Sequence, residues 1–216
     1  AFQGELHAGG NFSMAGESTA HGLARWDGSK WIGIPEFEEE SQVRAMAVYK
    51  GDLHAAGRLK FEGDTTSLIA RWDGGEWITI SNGTISGTTA MVVVGSELFV
   101  NIDSPTINPG SDKYWIARWN GEEWTKSGTE ITYVIRALAE HEGNVYAAGL
   151  DQDPAGFRNY RPAGIYHWDG TDWNTLGRGL DGPVSQIAVS GTDLYIAGDF
   201  THVGDIDANR IAKWDG

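Results

Sequence analysis

Ala24-Arg25-Trp26-Asp27-Gly28, followed by Trp31, is the stretch that decides the fold, because the chain returns to it four more times. It recurs as Ala70-Arg71-Trp72-Asp73-Gly74 with Trp77, and as Ala117-Arg118-Trp119-Asn120-Gly121 with Trp124. The last two copies are Tyr166-His167-Trp168-Asp169-Gly170 with Trp173, and Ala212-Lys213-Trp214-Asp215-Gly216. The first Trp of each copy stands at 26, 72, 119, 168 and 214, a period of 46 to 49 residues. A period of that length over the whole chain is the mark of a repeat architecture. The repeat is continuous, so residues 1–216 are expected to form a single domain.

Working outward from the phrase, each repeat carries four short apolar runs. Run a reads Val43–Tyr49, Thr88–Val94, Val134–Ala139 and Val184–Val189. Its length and apolar character suit a buried strand. A Gly with a polar neighbour follows, as in Gly51-Asp52 and Gly143-Asn144. Such pairs supply the positive φ that tight hairpins require. Run b is Leu6–Gly10, Leu53–Gly57, Leu98–Asn101, Val145–Gly149 and Leu194–Gly198. A loop of variable length leads to run c, the Trp phrase itself, whose Asp-Gly closes a further hairpin. Run d begins at the second Trp: Trp31–Ile34, Trp77–Ile80, Trp124–Lys126 and Trp173–Leu176. Four antiparallel strands joined by hairpins make a sheet with two apolar faces, which sheets stacked around an axis can bury. The predicted fold is all-β: a β-propeller of four-stranded antiparallel blades with five repeats visible.

The order of apolar strand, Leu-Tyr-x-x-Gly, loop, Ala-Arg-Trp-Asp-Gly and Trp-x-x-Leu resembles Kelch-type propeller repeats. It is similar above all to the Gly- and Trp-rich repeats of bacterial secreted propellers with a galactose-oxidase-central-domain-like fold. The resemblance covers essentially the whole chain, and it implies a secreted or cell-surface protein. Propellers host many activities, so fold alone does not give function.

The first repeat lacks run a and the last lacks run d, giving 18 strands where five whole blades need 20. Three completions are open: an excerpt of a longer array, closure by further residues, or a strand from a neighbouring chain, with the first two preferred. The chain begins at Ala rather than Met, which fits a mature or excerpted form.

Composition narrows the partners. The chain holds 30 Gly, ten Trp and no Cys, and its net charge is -14. Disulfide and thiol chemistry are excluded. Phosphate backbones and anionic membrane surfaces would be repelled, so nucleic acid is not an expected partner. No apolar run approaches the length that spans a bilayer.

Strand direction sorts the loops. The a–b and c–d turns share one end and are short and uniform. The b–c and d–a loops share the other end and vary, so this is the expected functional face. It carries Glu17, then Glu36, Glu38, Glu39 and Glu40, then Asp103, Asn108 and Asp112, and the long fourth loop 151–161. Nine of the ten Trp (Trp26, Trp72, Trp119, Trp168, Trp214, Trp31, Trp77, Trp124 and Trp173) fall at the two repeat positions and read as packing residues. Trp115 lies off the pattern. With Tyr114, Arg158, Tyr160 and Arg161 it makes up the set of ligand-binding candidates. Asp151-x-Asp153 and Asp205-x-Asp207 faintly suggest calcium loops. Neither alternates Asp or Asn over about nine residues and ends in Glu, so solvated turn carboxylates are the simpler reading and no cofactor is required. His7 and His54 take the run-b place that Phe99, Tyr146 and Tyr195 fill elsewhere, and so read as packing rings, while His167 replaces an Arg. No zinc spacing and no phosphate loop is present.

Three functions follow. The first is a non-catalytic binding or structural scaffold that presents the variable face to protein or glycan, or assembles with copies of itself. The second is a glycosidase or lyase acting on a polysaccharide, which needs two carboxyl groups converging in a cleft. The third is a lectin, which needs the repetition to extend into the b–c loops, and as sequence these loops differ.

Overall fold

The computed structural model describes residues 1–60, 68–81, 87–102, 114–131, 133–151, 164–176 and 179–214. The chain is all-β, and its fold is a β-propeller of antiparallel blades. Among the described residues no helix is long and apolar enough to cross a membrane. Two compact units divide it, Ala1–Thr89 and Ala90–Gly216.

The first unit holds two blades. Blade 1 contains β1 (Leu6–Gly9), a small hairpin of β2 (Met14–Ala15) and β3 (Ser18–Thr19), then β4 (Leu23–Trp26) and β5 (Trp31–Gly33). Blade 2 is β6 (Gln42–Tyr49), β7 (Asp52–Arg58), β8 (Leu68–Trp72) and β9 (Trp77–Thr79). The second unit holds three. Blade 3 is β10 (Met91–Val94), β11 (Glu97–Ile102), β12 (Tyr114–Trp119) and β13 (Trp124–Ile131). Blade 4 is β14 (Tyr133–His141), β15 (Asn144–Asp151), β16 (Ile165–Trp168) and β17 (Trp173–Thr175). Blade 5 is β18 (Val184–Ser190) and β19 (Asp193–Gly198), a small hairpin of β20 (His202–Val203) and β21 (Ile206–Asp207), and β22 (Ile211–Trp214). The blade sheets hold three, four, four, four and three strands, with strand order following chain order.

Two local devices repeat. At the c–d turn the two Trp of each blade face each other across the ladder, as Trp26↔Trp31, Trp72↔Trp77, Trp119↔Trp124 and Trp168↔Trp173. Their ring centroids lie 5.0 to 5.7 Å apart at tilted or edge-on angles, the arrangement that indole quadrupoles favour. Four residues span the turn, and the Asp or Asn side chain closes it. Asp27 Oδ1 accepts the Ser29 and Lys30 N–H at 2.8 and 2.9 Å, and Asn120 Oδ1 does the same for Glu122 and Glu123. These bonds hold the Asp27 carboxyl down at about 2, through the backbone N–H of Lys30 first and of Ser29 next.

The second device explains the Gly that ends strand b. A β-bulge in strand a breaks the register between Val43 and Ala45, Ile135 and Ala137, and Val184 and Gln186. It drives a strand-a carbonyl against the opposite Cα. A Cβ on Gly57, Gly149 or Gly198 would stand 2.0, 1.8 or 2.0 Å from the carbonyl oxygen of Gln42, Val134 or Pro183. In blade 3 Ile102 takes this place, and before it stands Asn101. It accepts the Ala90 N–H at 2.7 Å and donates to the Ile135 carbonyl at 3.2 Å.

Two of the differences between sequence runs and strands fall in blade 3. Run a of blade 3 begins at Met91 rather than Thr88. Run d of the same blade extends to Ile131 rather than ending at Lys126, because Thr129 continues it by donating to Asp172 of blade 4 from both N and Oγ1, each at 2.8 Å.

Candidate functional site

The antiparallel registers put the b–c and d–a connections at one end of every blade. The described part of that end is built on one motif used twice. Gly10 to Trp26 and Gly198 to Trp214 align without a gap: Asn11 with Asp199, Phe12 with Phe200, Ser13 with Thr201, Gly16 with Gly204, Ala20 with Ala208. Their hydrogen bonds match as well. Ala20 N donates to Ser13 O and Ala208 N to Thr201 O, at 2.9 and 2.8 Å. Gly22 N donates to Phe12 O and Arg210 N to Phe200 O, at 2.7 and 3.0 Å. The β2–β3 and β20–β21 hairpins are therefore one element, with Gly16 and Gly204 turning their tips at φ 61° and 60°. The first and fifth b–c loops are alike where the sequence reading took all of them to differ. The shared signal, Gly-[Asn/Asp]-Phe-[Ser/Thr] with Gly four residues after the Phe, was present in the sequence.

The two copies differ in what holds them. In blade 5 the d–a residue Asp181 grips the hairpin. Its Oδ1 accepts the Thr201 and His202 N–H at 2.7 and 2.9 Å, and its Oδ2 accepts Thr201 Oγ1 at 2.5 Å. These bonds, the Thr201 hydroxyl first, hold the Asp181 carboxyl far below the ordinary range. His202 is bracketed, Nδ1 to Asp181 and Nε2 to Asp207, both at 3.1 Å.

In blade 1 the same hairpin opens onto a hollow of about 510 Å³. Phe12 and Met14 give it an apolar side, Ser13 and His21 a polar one, and Glu39 and Glu40 an acidic rim. Met14 is 52% exposed. His21 is pinned through Nδ1 to the Phe37 carbonyl. Glu40 is bonded to Lys60 Nζ at 2.6 Å, and this bond is the main cause of its lowered pKa.

The residues singled out from sequence fall as follows. Tyr114 and Trp115 open β12, both half-buried, and Lys126 Nζ sits 4.8 Å from the Trp115 ring centroid. Asp205 is at the tip of the β20–β21 hairpin, and Asp207 holds His202. The side chain of Asp151, and Asp153, Arg158, Tyr160, Arg161, Asp103, Asn108 and Asp112, lie outside the described residues. Among the described residues no three His, Cys, Asp or Glu side chains are grouped so as to hold a metal ion. Of the packing histidines, His54 is buried and meets the Tyr49 ring edge-on at 5.5 Å, and burial pushes its pKa down.

Sequence reading missed one repeated pair. The residue before each run b faces the Arg or Lys of the Trp phrase: Glu5–Arg25 at 2.7 Å, Asp52–Arg71 at 2.9 Å, Glu97–Arg118 at 3.3 Å and Asp193–Lys213 at 2.9 Å. In blade 4 both partners change together, to Asn144 and His167. The replacement of Arg by His167 is thus half of a paired substitution. These pairs are partly exposed and worth little individually.

No protein-family model matches the chain, and no curated protein matches its sequence. Solved structures do match in fold. The chain is similar to YjhT at 14% identity and a TM-score of 0.61, covering 100% of this chain and 82% of that one. It is similar to PorZ, a bacterial surface component of the type-IX secretion system of Porphyromonas gingivalis, at 14% identity and a TM-score of 0.57, covering 93% of this chain and 33% of that one. It is also similar to the Aleuria aurantia lectin in complex with α-methyl-L-fucoside, at 12% identity and a TM-score of 0.50, covering 97% and 77%. At these identities the likeness is one of fold.

Proposed function

We propose that this chain is a non-catalytic binding propeller whose b–c and d–a loop end takes a protein or glycan, with the blade 1 hollow as its contact point. The observation that carries the reading is the pair of matching hairpins. In blade 1 that hairpin faces a hollow with an exposed Met and a mixed polar and apolar lining. Small ligand sites combine these features. Either ligand class is open to the fold, since one similar propeller holds a fucoside and another, YCF48, is bound to D1 peptide. The reading extends to a single Kelch-type propeller domain over residues 1–216, to a secreted or cell-surface location, and to binding that needs no calcium.

Catalysis draws less support. A general acid needs a carboxyl held up toward neutral pH. Asp27, Glu40, Asp73, Asp169, Asp172, Asp181 and Asp193 are all displaced downward, each mainly by hydrogen bonds. The test is a glycan array and a peptide array probed with the wild-type chain and with Met14→Asp. Retention by the wild type that Met14→Asp abolishes, and that persists in chelator, is the expected result. Release of reducing sugar from a polysaccharide panel would overturn it.

A further inference from the structure

A second cavity, of about 400 Å³, lies between the two blades of the first unit, away from the loop-end hollow. Phe2 and Glu5 reach it from the turn before β1, and Leu53, Trp72 and Trp77 border the turns of blade 2. The equivalent seam between blades 3 and 4 is packed, so the two can be compared position by position. Leu6 and Leu98 each pair with the first Trp of their blade, which equates His7 with Phe99. Counting from Trp31 and Trp124 equates Ile34 with Ser127, and Trp77 corresponds to Trp173.

In the packed seam Phe99 meets the Trp168 ring edge-on at 6.4 Å, and the Arg118 guanidinium lies over the same ring at 5.6 Å. The Trp173 indole N–H donates to Ser127 O at 3.1 Å and Ser127 Oγ at 3.2 Å. Trp168 and Trp173 are 8% and 7% exposed. In the open seam a smaller ring, His7, stands in place of Phe99, and its Nδ1 donates to the Glu5 carbonyl at 3.2 Å. Arg25 pairs with Glu5 as Arg118 does with Glu97. Ile34 has no side-chain acceptor to match Ser127 Oγ, and Trp77 Nε1 is buried with no hydrogen-bond partner among the described residues. An unmet buried donor costs roughly 1–3 kcal/mol.

We propose that this seam binds a small neutral hydroxylated ligand of the size of a mono- or disaccharide. Its volume suits such a ligand. Trp72 and Trp77 supply an apolar wall for a pyranose face. The Glu5–Arg25 pair presents an acceptor beside a donor, which is what adjacent hydroxyls require, since each can give and take a hydrogen bond. The Nδ1–H tautomer of His7 offers Nε2 as a further acceptor. A cation brings no acceptor for the Trp77 N–H, and Glu5 is already neutralised by Arg25. An anion meets Glu5 and Glu36 in a chain of net charge -14.

The test is a ¹H–¹⁵N titration of the full chain, read at the Trp77 indole signal (assigned with Trp77→Phe). The probes are methyl glycosides of the common hexoses and N-acetylhexosamines, with choline and acetate alongside. At least one sugar is expected to shift that signal saturably at millimolar concentration. His7→Phe, which copies the packed seam, weakens it about tenfold or more. Ile34→Ser, which gives the indole N–H a partner, weakens it too, while Met14→Asp leaves it unchanged. The last result separates this site from the loop-end reading. The proposal is overturned if no sugar moves the Trp77 signal, if choline or acetate alone does, or if the shift survives both seam variants in folded protein.

Discussion

Gly149→Ala tests the device that shapes the strand-b end in blades 2, 4 and 5. The new Cβ would stand 1.8 Å from the Val134 oxygen, 2.7 Å from the Val134 carbon and 3.0 Å from Ile135 Cα, all of them backbone atoms. Non-bonded Cβ contacts do not fall below 3.0 Å, so strand β14 must retreat by at least ~1.2 Å. That retreat pulls Ile135 off its Gly149 pairing and disturbs two side chains, Val134 and Ile135, that are 4% and 1% exposed. Two ladder hydrogen bonds at about 1 kcal/mol each, with about 1–2 kcal/mol for forced repacking, give a loss of roughly 3–4 kcal/mol. Urea unfolding followed by tryptophan fluorescence reads this as a lower midpoint at unchanged slope. Gly75→Ala is the matched control. Its Cβ would meet only Asp73 Oδ1, at 3.7 Å, so it should change stability by no more than about 0.5 kcal/mol. If Gly149→Ala falls within about 1 kcal/mol of that control, the close-approach account of the repeat Gly is wrong.

Three further outcomes are expected. Ser127→Ala removes the hydroxyl that donates to Ile116 O at 2.6 Å and one of two acceptors of the Trp173 N–H, so denaturation should show a loss of about 1–2 kcal/mol; no loss would mean that the seam is not held there. Asp181→Ala frees the β20–β21 hairpin, and hydrogen exchange should quicken at the Thr201 and His202 amides while β19 stays protected. Asp27, whose folded pKa is depressed to about 2 from 3.8, stabilises its turn above the unfolded value, and this support is lost as pH falls through about 2. An NMR titration of the Ser29 and Lys30 amides should therefore show a midpoint near 2, and one near 3.8 would refute the caps. Asp27→Asn should keep the turn and abolish the titration, as Asn120 does in blade 3.

The fold was legible because its determinants are local and repeated. Trp pairs, turn Gly and alternating runs recur at a fixed spacing, so each copy confirms the others. Two things were less legible. The reason for the strand-b Gly lies in a bulge on another strand, and a bulge leaves no mark of its own on strand b. The acidic partners of Arg25, Arg71 and Arg118 sit about 20 residues away, and only the ladder register brings them opposite. The site was hardest to read. Sequence reasoning looked for chemistry in loops that vary, passed over Ile34 as an ordinary strand residue, and read His7 as a packing ring.

Internal repeats give a way to tell structural from functional departures. Asn144 and His167 depart from the Asp/Glu–Arg/Lys pattern together, so neither leaves a charge unpaired and the change is structurally neutral. Asn101 stands where blades 2, 4 and 5 carry Ala, and its polar side chain is met by two hydrogen bonds. Both are compensated. Ile34 is not: it lacks the side-chain acceptor that Ser127 adds to its carbonyl, while Trp77 is kept and its N–H is buried and, among the described residues, unmet. His7, in the same seam, gives up volume relative to Phe99, and the cavity borders it. A scaffold selected for stability alone would restore either the Ser or the Phe, each a single substitution away from the packed arrangement that this same chain already contains. Two uncompensated departures around one cavity are the pattern expected where an outside group supplies the missing volume and the missing acceptor.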